Sequence, residues 1–255
     1  MTEYIKPIVV VGAGYTGLAA AYELCRKGLP VVLLEADAEL GGLAGTFQFA
    51  PGVRVEKFYH HWFSSDHDVL RLIAELGHNE SVEFHNSQVG YYYANSVFRL
   101  SKPLDLLRFP LLTPIDRIRT GLMCLSARAK KDWRALESLT AFEWIEKHAG
   151  KRALEVIWKP LLCGKFGPEA ESVSAVWFWN KLKLRGSSRK RTGGETLAYF
   201  RGGFGALTKL LEDNLRQHGA VIKRNTRVSK VLSDNGKVTG VVTSTGDSYD
   251  ASAVL

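Results

Sequence analysis

Residues 9–46, VVVGAGYTGLAAAYELCRKGLPVVLLEADAELGGLAGT, decide the fold of this chain. An apolar, β-branched run over 7–11 predicts a strand buried on both faces. The apolar spacing over 15–27 predicts a helix that ends at Gly28, and the run over 30–35 predicts a second strand. Strand, glycine loop, helix and strand in this order indicate a βαβ unit and therefore an α/β fold.

The loop of this unit contains three closely spaced glycines in the pattern Gly-x-Gly-x-x-Gly. Gly12 allows the tight turn out of the strand, Gly14 lets the backbone approach a pyrophosphate, and Gly17 lets the helix pack closely on the strand. Phosphates are favoured at the N-terminus of that helix by its unpaired N–H groups and its dipole. Glu35 ends the second strand, where a carboxylate accepts hydrogen bonds from a ribose and repels a 2′-phosphate. The pattern predicts a dinucleotide site that disfavours NADP, and an empty βαβ unit is the alternative.

FAD and NAD share this fingerprint, so the residues after Glu35 decide between them. In a plain NAD domain the second strand runs on into a crossover helix, but three glycines within 41–45 break a helix here. A loop of this kind can lie with its backbone against an extended cofactor, and Thr46 adds a hydroxyl. An ordinary glycine-rich surface loop is the alternative interpretation.

Glu35 followed by the glycine doublet Gly41-Gly42 and by Thr46 resembles the FAD-binding signature of the flavin amine oxidase, protoporphyrinogen oxidase and phytoene desaturase superfamily. The resemblance implies a Rossmann-like FAD-binding domain of the glutathione reductase type, interrupted by a mainly helical α+β substrate domain. It implies FAD as the cofactor. The FAD-binding residues that it implies are Gly12, Ala13, Gly14, Tyr15, Thr16, Gly17, Glu35, Ala36, Gly41, Gly42, Leu43, Thr46 and Val228.

Two adjacent histidines, His60 and His61, lie between aromatic residues in the segment EKFYHHWF, 56–63. Neighbours in an extended chain point to opposite faces, and no acidic or cysteine partner stands at ligand spacing, so we expect no metal site. The segment is similar to one in bacterial protoporphyrinogen-oxidase-like proteins, and in the wider superfamily the matching stretch passes close to the isoalloxazine ring. The resemblance makes both histidines candidates for flavin or substrate contact, with structural packing as the alternative.

The C-terminal part of the chain is also similar to the superfamily. A glycine pair at 202–203 opens a predicted helix, and Val228 matches a valine whose backbone contacts the adenine. Asn235-Gly236 predicts a hairpin, and 249–255 predicts a strand that returns to the first sheet. The resembled proteins continue beyond the segment that matches this strand, so we expect a truncated or fragmentary chain.

The domain organisation follows from these matches. The predicted FAD-binding domain comprises 1–65 and 198–255, and the predicted substrate domain comprises 66–197, with an aromatic hairpin over 91–100. A helix predicted from Thr113-Pro114 onward has four apolar residues on one face. These residues are Ile115, Ile118, Leu122 and Leu125.

The 255 residues carry a net charge of +8, concentrated in two stretches. Residues 102–134 include eight basic and three acidic residues. Residues 181–201 include seven basic residues and one acidic residue, and a flexible basic loop is predicted over 185–194. An apolar stripe with a basic fringe is typical of an interfacial helix, although a core helix with solvated arginines fits the first stretch equally well. We therefore consider peripheral membrane contact through 102–134. The charge accompanies no nucleic-acid reading motif, so we expect no nucleic-acid partner.

Three cysteines without a CxxC pair argue against a disulfide framework and predict reduced, buried packing residues. No apolar run is long enough for a spanning helix, and no signal peptide is evident, so we expect a cytoplasmic chain, peripheral to the inner face of the membrane at most.

The predicted function is that of an FAD-dependent oxidoreductase that removes hydride from an apolar or amphipathic small molecule. Its catalytic residues are not identified beyond the candidates His60 and His61. Two alternatives stay open at this point. One is a flavin-dependent sugar-nucleotide mutase similar to UDP-galactopyranose mutase, and the other is a truncated nucleotide-binding module without catalysis.

Overall fold

The computed structural model describes residues 5–187 and 195–255, so residues 188–194 of the predicted basic loop lie outside the described part. In this part the strands are β1 (Ile8–Val11), β2 (Val31–Leu34), β3 (Thr46–Ala50), β4 (Val53–Glu56), β5 (Trp62–Phe63), β6 (Val82–Ser87), β7 (Gly90–Tyr93), β8 (Ser96–Arg99), β9 (Glu195–Phe200), β10 (Val221–Lys223), β11 (Val228–Asp234), β12 (Lys237–Thr243), β13 (Ser248–Asp250) and β14 (Ala253–Val254). The α-helices are α1 (Tyr15–Arg26), α2 (His67–Glu75), α3 (Pro103–Leu107), α4 (Pro114–Ala129), α5 (Ala141–Ala149), α6 (Lys151–Ala153), α7 (Lys159–Phe166), α8 (Ala175–Ser187) and α9 (Gly203–Gln217).

The described chain divides into two compact units. Unit 1 comprises the residues up to His61 together with Leu72–Glu83 and Tyr199–Leu255, and unit 2 comprises Trp62–Arg71 and Phe84–Ala198. Residues 72–83, which the sequence prediction assigned to the substrate domain, thus lie in unit 1. The end of α2 is held there because Glu75 accepts a 2.5 Å hydrogen bond from Arg26 of α1.

Unit 1 is built on a four-stranded sheet in the order β10-β2-β1-β14, and all three pairings are parallel. β1 and β2 are apolar runs, which suits strands covered on both faces. Helices α1 and α9 pack against each other, and Leu18, Leu207 and Leu211 are fully buried. The predicted βαβ unit and α/β fold are therefore confirmed.

A second sheet of unit 1, in the order β11-β12-β13, is antiparallel. Its hairpin turns at Asn235 and Gly236, whose φ angles of 48° and 75° both lie in the left-handed region, as predicted. The strand predicted over 249–255 does return to the first sheet, but the structure divides this stretch into two short strands, β13 and β14. Tyr249 pairs with Val241 of β12 and packs on a small buried cluster around that residue, so only the short strand β14 joins β1.

Unit 2 is mainly helical, and α4 packs against α5 and α8 around one apolar core. The helix start predicted at Thr113-Pro114 is present. The Thr113 hydroxyl accepts from the Asp116 N–H at 3.2 Å, and Thr140 and Glu143 form a capping box. The predicted hairpin is β7–β8.

The apolar stripe of α4 faces away from this core. Ile115, Ile118, Leu122 and Leu125 are 69, 57, 59 and 60% exposed, whereas the opposite face, with Met123 at 2%, is buried. The interpretation in which these four residues are buried in the core is therefore wrong.

No helix among the described residues is long and apolar enough to cross a membrane. The cysteine prediction is only partly right, because Cys25 is buried but Cys163 is exposed on α7. None of the three cysteines forms a disulfide bond.

Candidate functional site

The two glycine-rich segments predicted to bind one cofactor lie in direct backbone contact. The N–H of Gly41 donates to the carbonyl oxygen of Ala13 at 2.9 Å, and Gly14 and Gly41 form an isolated parallel bridge. A Cβ on Gly42 would lie 3.0 Å from the Cα of Gly14, tighter than nine in ten Cβ contacts in proteins. The doublet therefore needs glycine because it lies against the first loop.

The first loop has the geometry that its spacing predicts. Gly12 has a φ of +94°, and a Cβ on Gly17 would collide with the carbonyl oxygen of Gly12. Gly14 precedes α1 and provides no side-chain cap to the first N–H groups of this 12-residue helix. An anion fits there, because it accepts hydrogen bonds from those N–H groups and is favoured by the helix dipole.

Glu35 lies at the end of β2, 9% exposed, with its carboxylate toward the loop. One carboxylate oxygen accepts from the N–H of Ala13 at 2.6 Å, and the other from the N–H of Asp37 at 2.9 Å. Each oxygen has a further lone pair, so the group can still accept from a ribose hydroxyl. The Glu35 carbonyl oxygen also accepts from the N–H of Thr226, which brings the backbone before Val228 next to this edge of the sheet.

The remaining predicted contact residues differ in their surroundings. Leu43 is 92% exposed, whereas Thr46 is buried and its hydroxyl accepts from Arg54 Nε at 3.0 Å. Thr16 is exposed and Ala36 is half-buried. A cleft of about 500 Å³ opens beside the doublet and includes Gly42 and Thr46 in its wall.

The two histidines have different neighbours. Nδ1 of His60 lies 2.7 Å from the carbonyl oxygen of Phe58, so its proton is on Nδ1, and its ring centroid is 5.3 Å from that of Phe204. His61 stacks on Tyr59 at 6.3 Å. The described residues contain no group of three or more His, Cys, Asp and Glu side chains that could hold a metal ion. A role of either histidine toward flavin or substrate stays a prediction.

The sequence alone did not reveal a half-buried polar cluster around Phe204, the second residue of α9. Glu56 Oε1 accepts from the Tyr199 hydroxyl at 2.5 Å and from the Phe204 N–H at 2.8 Å. Tyr15 donates its hydroxyl proton to the Phe204 carbonyl oxygen at 2.8 Å. The signal available in the sequence was Glu56 itself, an acidic residue that ends the short strand Val53–Glu56 just before the two histidines.

The protonation states in this cluster follow from burial and hydrogen bonding. Burial alone would raise the pKa of Glu56, but the hydrogen bonds from Tyr199 and Phe204 outweigh it and hold this pKa below its ordinary value. Burial, opposed by a hydrogen bond from Thr208 and reinforced by the Glu56 charge, raises the pKa of Tyr15 to about 12. Burial and then the Glu56 carboxylate also raise the pKa of Tyr199. At neutral pH the carboxylate is therefore ionised and both tyrosines are donors.

Four features meet at one edge of the parallel sheet: the glycine loop, the open N-terminus of α1, the Glu35 carboxylate and the glycine doublet. Together they define a dinucleotide-binding protein with an FAD-type site. The family model for flavin-containing amine oxidoreductases matches residues 15–255. The chain belongs to this family, and the residues present at the site fit FAD, the cofactor that the family implies.

Relatives agree with this assignment. The mitochondrial protoporphyrinogen oxidase of Nicotiana tabacum is 30% identical over 190 residues, which are 71% of this chain and 38% of that protein. The zeta-carotene desaturase of a Synechocystis species is 24% identical over 270 residues, 94% of this chain and 54% of that protein. The solved structure of an oxidoreductase from Methanosarcina mazei has a TM-score of 0.71 at 20% identity, covering 97% of this chain and 58% of that one. The chain thus spans roughly half the length of these relatives.

Proposed function

We propose that this chain belongs to an FAD-dependent oxidoreductase that dehydrogenates a small apolar or amphipathic molecule. The family match over 15–255, together with the contact between the two glycine segments, carries the proposal. When bound, FAD would supply the two-electron acceptor that hydride removal from the substrate requires.

Different residues of the chain are proposed to bind different parts of FAD. The N–H groups that follow Gly14 would hold the pyrophosphate, and the backbone of the glycine doublet would also contact the cofactor. Glu35 would accept a hydrogen bond from the adenosine ribose, and the backbone of Val228 would contact the adenine. His60 and His61 face the flavin or the substrate from their segment.

The names of two relatives and the aromatic residues of unit 2 support an apolar substrate. Among the relatives are a protoporphyrinogen oxidase and a zeta-carotene desaturase, whose names indicate small, largely apolar substrates. Unit 2 presents an extensive aromatic core, in which Trp158 packs edge-on against Phe178 at 5.0 Å. The family match disfavours both the sugar-nucleotide mutase and the module without catalysis.

The proposal is tested by the absorption spectrum of the purified chain and by identification of any flavin that denaturation releases. We expect bound FAD, and we expect a porphyrinogen, polyene or amine substrate to reduce an artificial acceptor in stoichiometric amounts. A chain that holds FAD but converts a sugar nucleotide without consuming acceptor would favour the mutase. A colourless chain that takes up no added FAD would contradict the proposal.

We propose in addition that α4 contacts the surface of an anionic membrane, so that a cytoplasmic protein lies peripherally on its inner face. The four exposed apolar side chains of the stripe recur at helical spacing over about 15 Å of helix. Arg108, Arg128 and Lys131 are exposed in the same basic stretch. Apolar side chains that enter the interface and cations that attract anionic headgroups are the two contributions that such binding needs.

Replacing Ile118 and Leu122 together by Glu is expected to lower binding to anionic vesicles at least about tenfold, because two apolar side chains can no longer be buried. Sedimentation with vesicles of phosphatidylcholine, with and without phosphatidylglycerol, measures this binding. Val97→Glu, at a 72% exposed apolar residue of β8, is the matched control and should leave binding unchanged. Equal binding of the double variant and the control would contradict the membrane contact.

A further inference from the structure

Phe204 contacts two segments of unit 1: the loop before α1, which is expected to bind the pyrophosphate of FAD, and the histidine segment, which is expected to lie near the flavin. Its carbonyl oxygen accepts from Tyr15, the residue directly after the phosphate-binding Gly14, and its N–H donates to Glu56. Its ring packs against those of Tyr15 and His60, at centroid distances of 5.8 and 5.3 Å. Phe204 itself is 4% exposed. A displacement at either segment is therefore transmitted to Phe204 through packed atoms.

Glu56 fixes this arrangement from one side. Its carboxylate lies at the N-terminus of α9, where Gly202 provides no side-chain cap, so a negative charge is favoured by the open N–H groups. A Cβ on Gly203 would come within 2.8 Å of Glu56 Oε1 and 3.0 Å of the Tyr199 hydroxyl. With a φ of +82°, Gly203 is the residue that lets the carboxylate approach so closely.

We propose that Glu56 is a positioning residue for FAD binding. It holds the start of α9 so that Tyr15 and the phosphate loop on one side, and the His60 segment on the other, present their contacts to the cofactor in one fixed arrangement. This inference rests on the proposed function, because it concerns the same FAD site. It assigns Glu56 no contact with FAD, only the placement of groups that make such contacts.

The test measures the FAD dissociation constant of the full chain by quenching of flavin fluorescence. Glu56→Ala is expected to raise it about tenfold, since two hydrogen bonds to a charged acceptor are lost. Glu56→Gln, whose amide oxygen can accept the same two bonds, should restore most of the affinity. Glu83→Ala is the matched control. Glu83 forms a 2.9 Å ion pair with Arg201, the residue just before the same glycine pair. The control should bind FAD like the wild type.

A double-mutant cycle distinguishes positioning from a general loss of structure. Tyr15→Phe and Glu56→Ala act through the same residue, so their combined effect on FAD affinity should be smaller than the product of the two single effects. Thermal melts of the FAD-free variants, followed by circular dichroism, record the structural contribution separately. A Glu56→Ala variant that melts earlier but binds FAD with unchanged affinity would overturn the inference alone. A wild-type chain that takes up no FAD would overturn the proposed function and this inference with it.

Discussion

Gly17→Ala is expected to abolish measurable FAD binding, with a loss of affinity of roughly 100-fold or more, equivalent to about 3 kcal/mol. In most helices this substitution stabilises, because alanine is favoured over glycine by about 1 kcal/mol. Here the new methyl group would collide with the carbonyl oxygen of Gly12 and approach Val10 Cγ1 to 3.4 Å. The carbonyl oxygen belongs to backbone and cannot rotate away, so the loop must move.

Flavin fluorescence quenching measures this loss, and Gly164→Ala is the matched control. Gly164 lies in α7, and a Cβ there meets nothing within 4 Å. The control should bind FAD like the wild type and gain a few tenths of a kcal/mol in stability from helix propensity. If Gly17→Ala binds FAD with the affinity of the control, the loop does not hold the pyrophosphate.

Features that depend on neighbouring residues could be predicted from the sequence. The start of α5 at Thr140 is determined by a side chain three residues from its partner, and the structure has this capping box. The hairpin at Asn235-Gly236 is equally local, because the left-handed turn is a property of these two residues. The βαβ unit could be predicted for a related reason, because short connections between consecutive elements allow only a few topologies.

Features that depend on distant packing could not be predicted. The hydrogen bond between Glu56 and Phe204 joins residues 148 positions apart, and no local pattern specifies such a pair. Periodicity gave the apolar stripe of α4 correctly, but it does not say whether a stripe is covered. The structure exposes the stripe because α5 and α8 pack on the other face, around Met123 and Ala127.

The second large effect is expected in unit 2, where Phe109→Ala should lower the free energy of unfolding by about 3–5 kcal/mol. Phe109 is 1% exposed, and the rings of Tyr91 and Phe98 pack edge-on against it at 5.5 and 6.0 Å. Truncation would remove both ring contacts and leave a cavity between the β7–β8 hairpin and the helices. Tyr92, 67% exposed on the same hairpin, is the control, and Tyr92→Ala should cost about 0.5 kcal/mol or less.

Denaturant unfolding followed by tryptophan fluorescence measures this effect selectively, because all six tryptophans of the chain belong to unit 2. Trp179 is the most informative of them, since its indole N–H donates to the carbonyl oxygen of Ala127 inside the same core, at 2.8 Å. Phe109→Leu should fall between the two alanine variants, as it keeps part of the buried volume. If Phe109→Ala unfolds at the denaturant concentration of Tyr92→Ala, the hairpin and the helices do not share one core. The aromatic residues of β7–β8 would then be available to substrate instead of being required for stability.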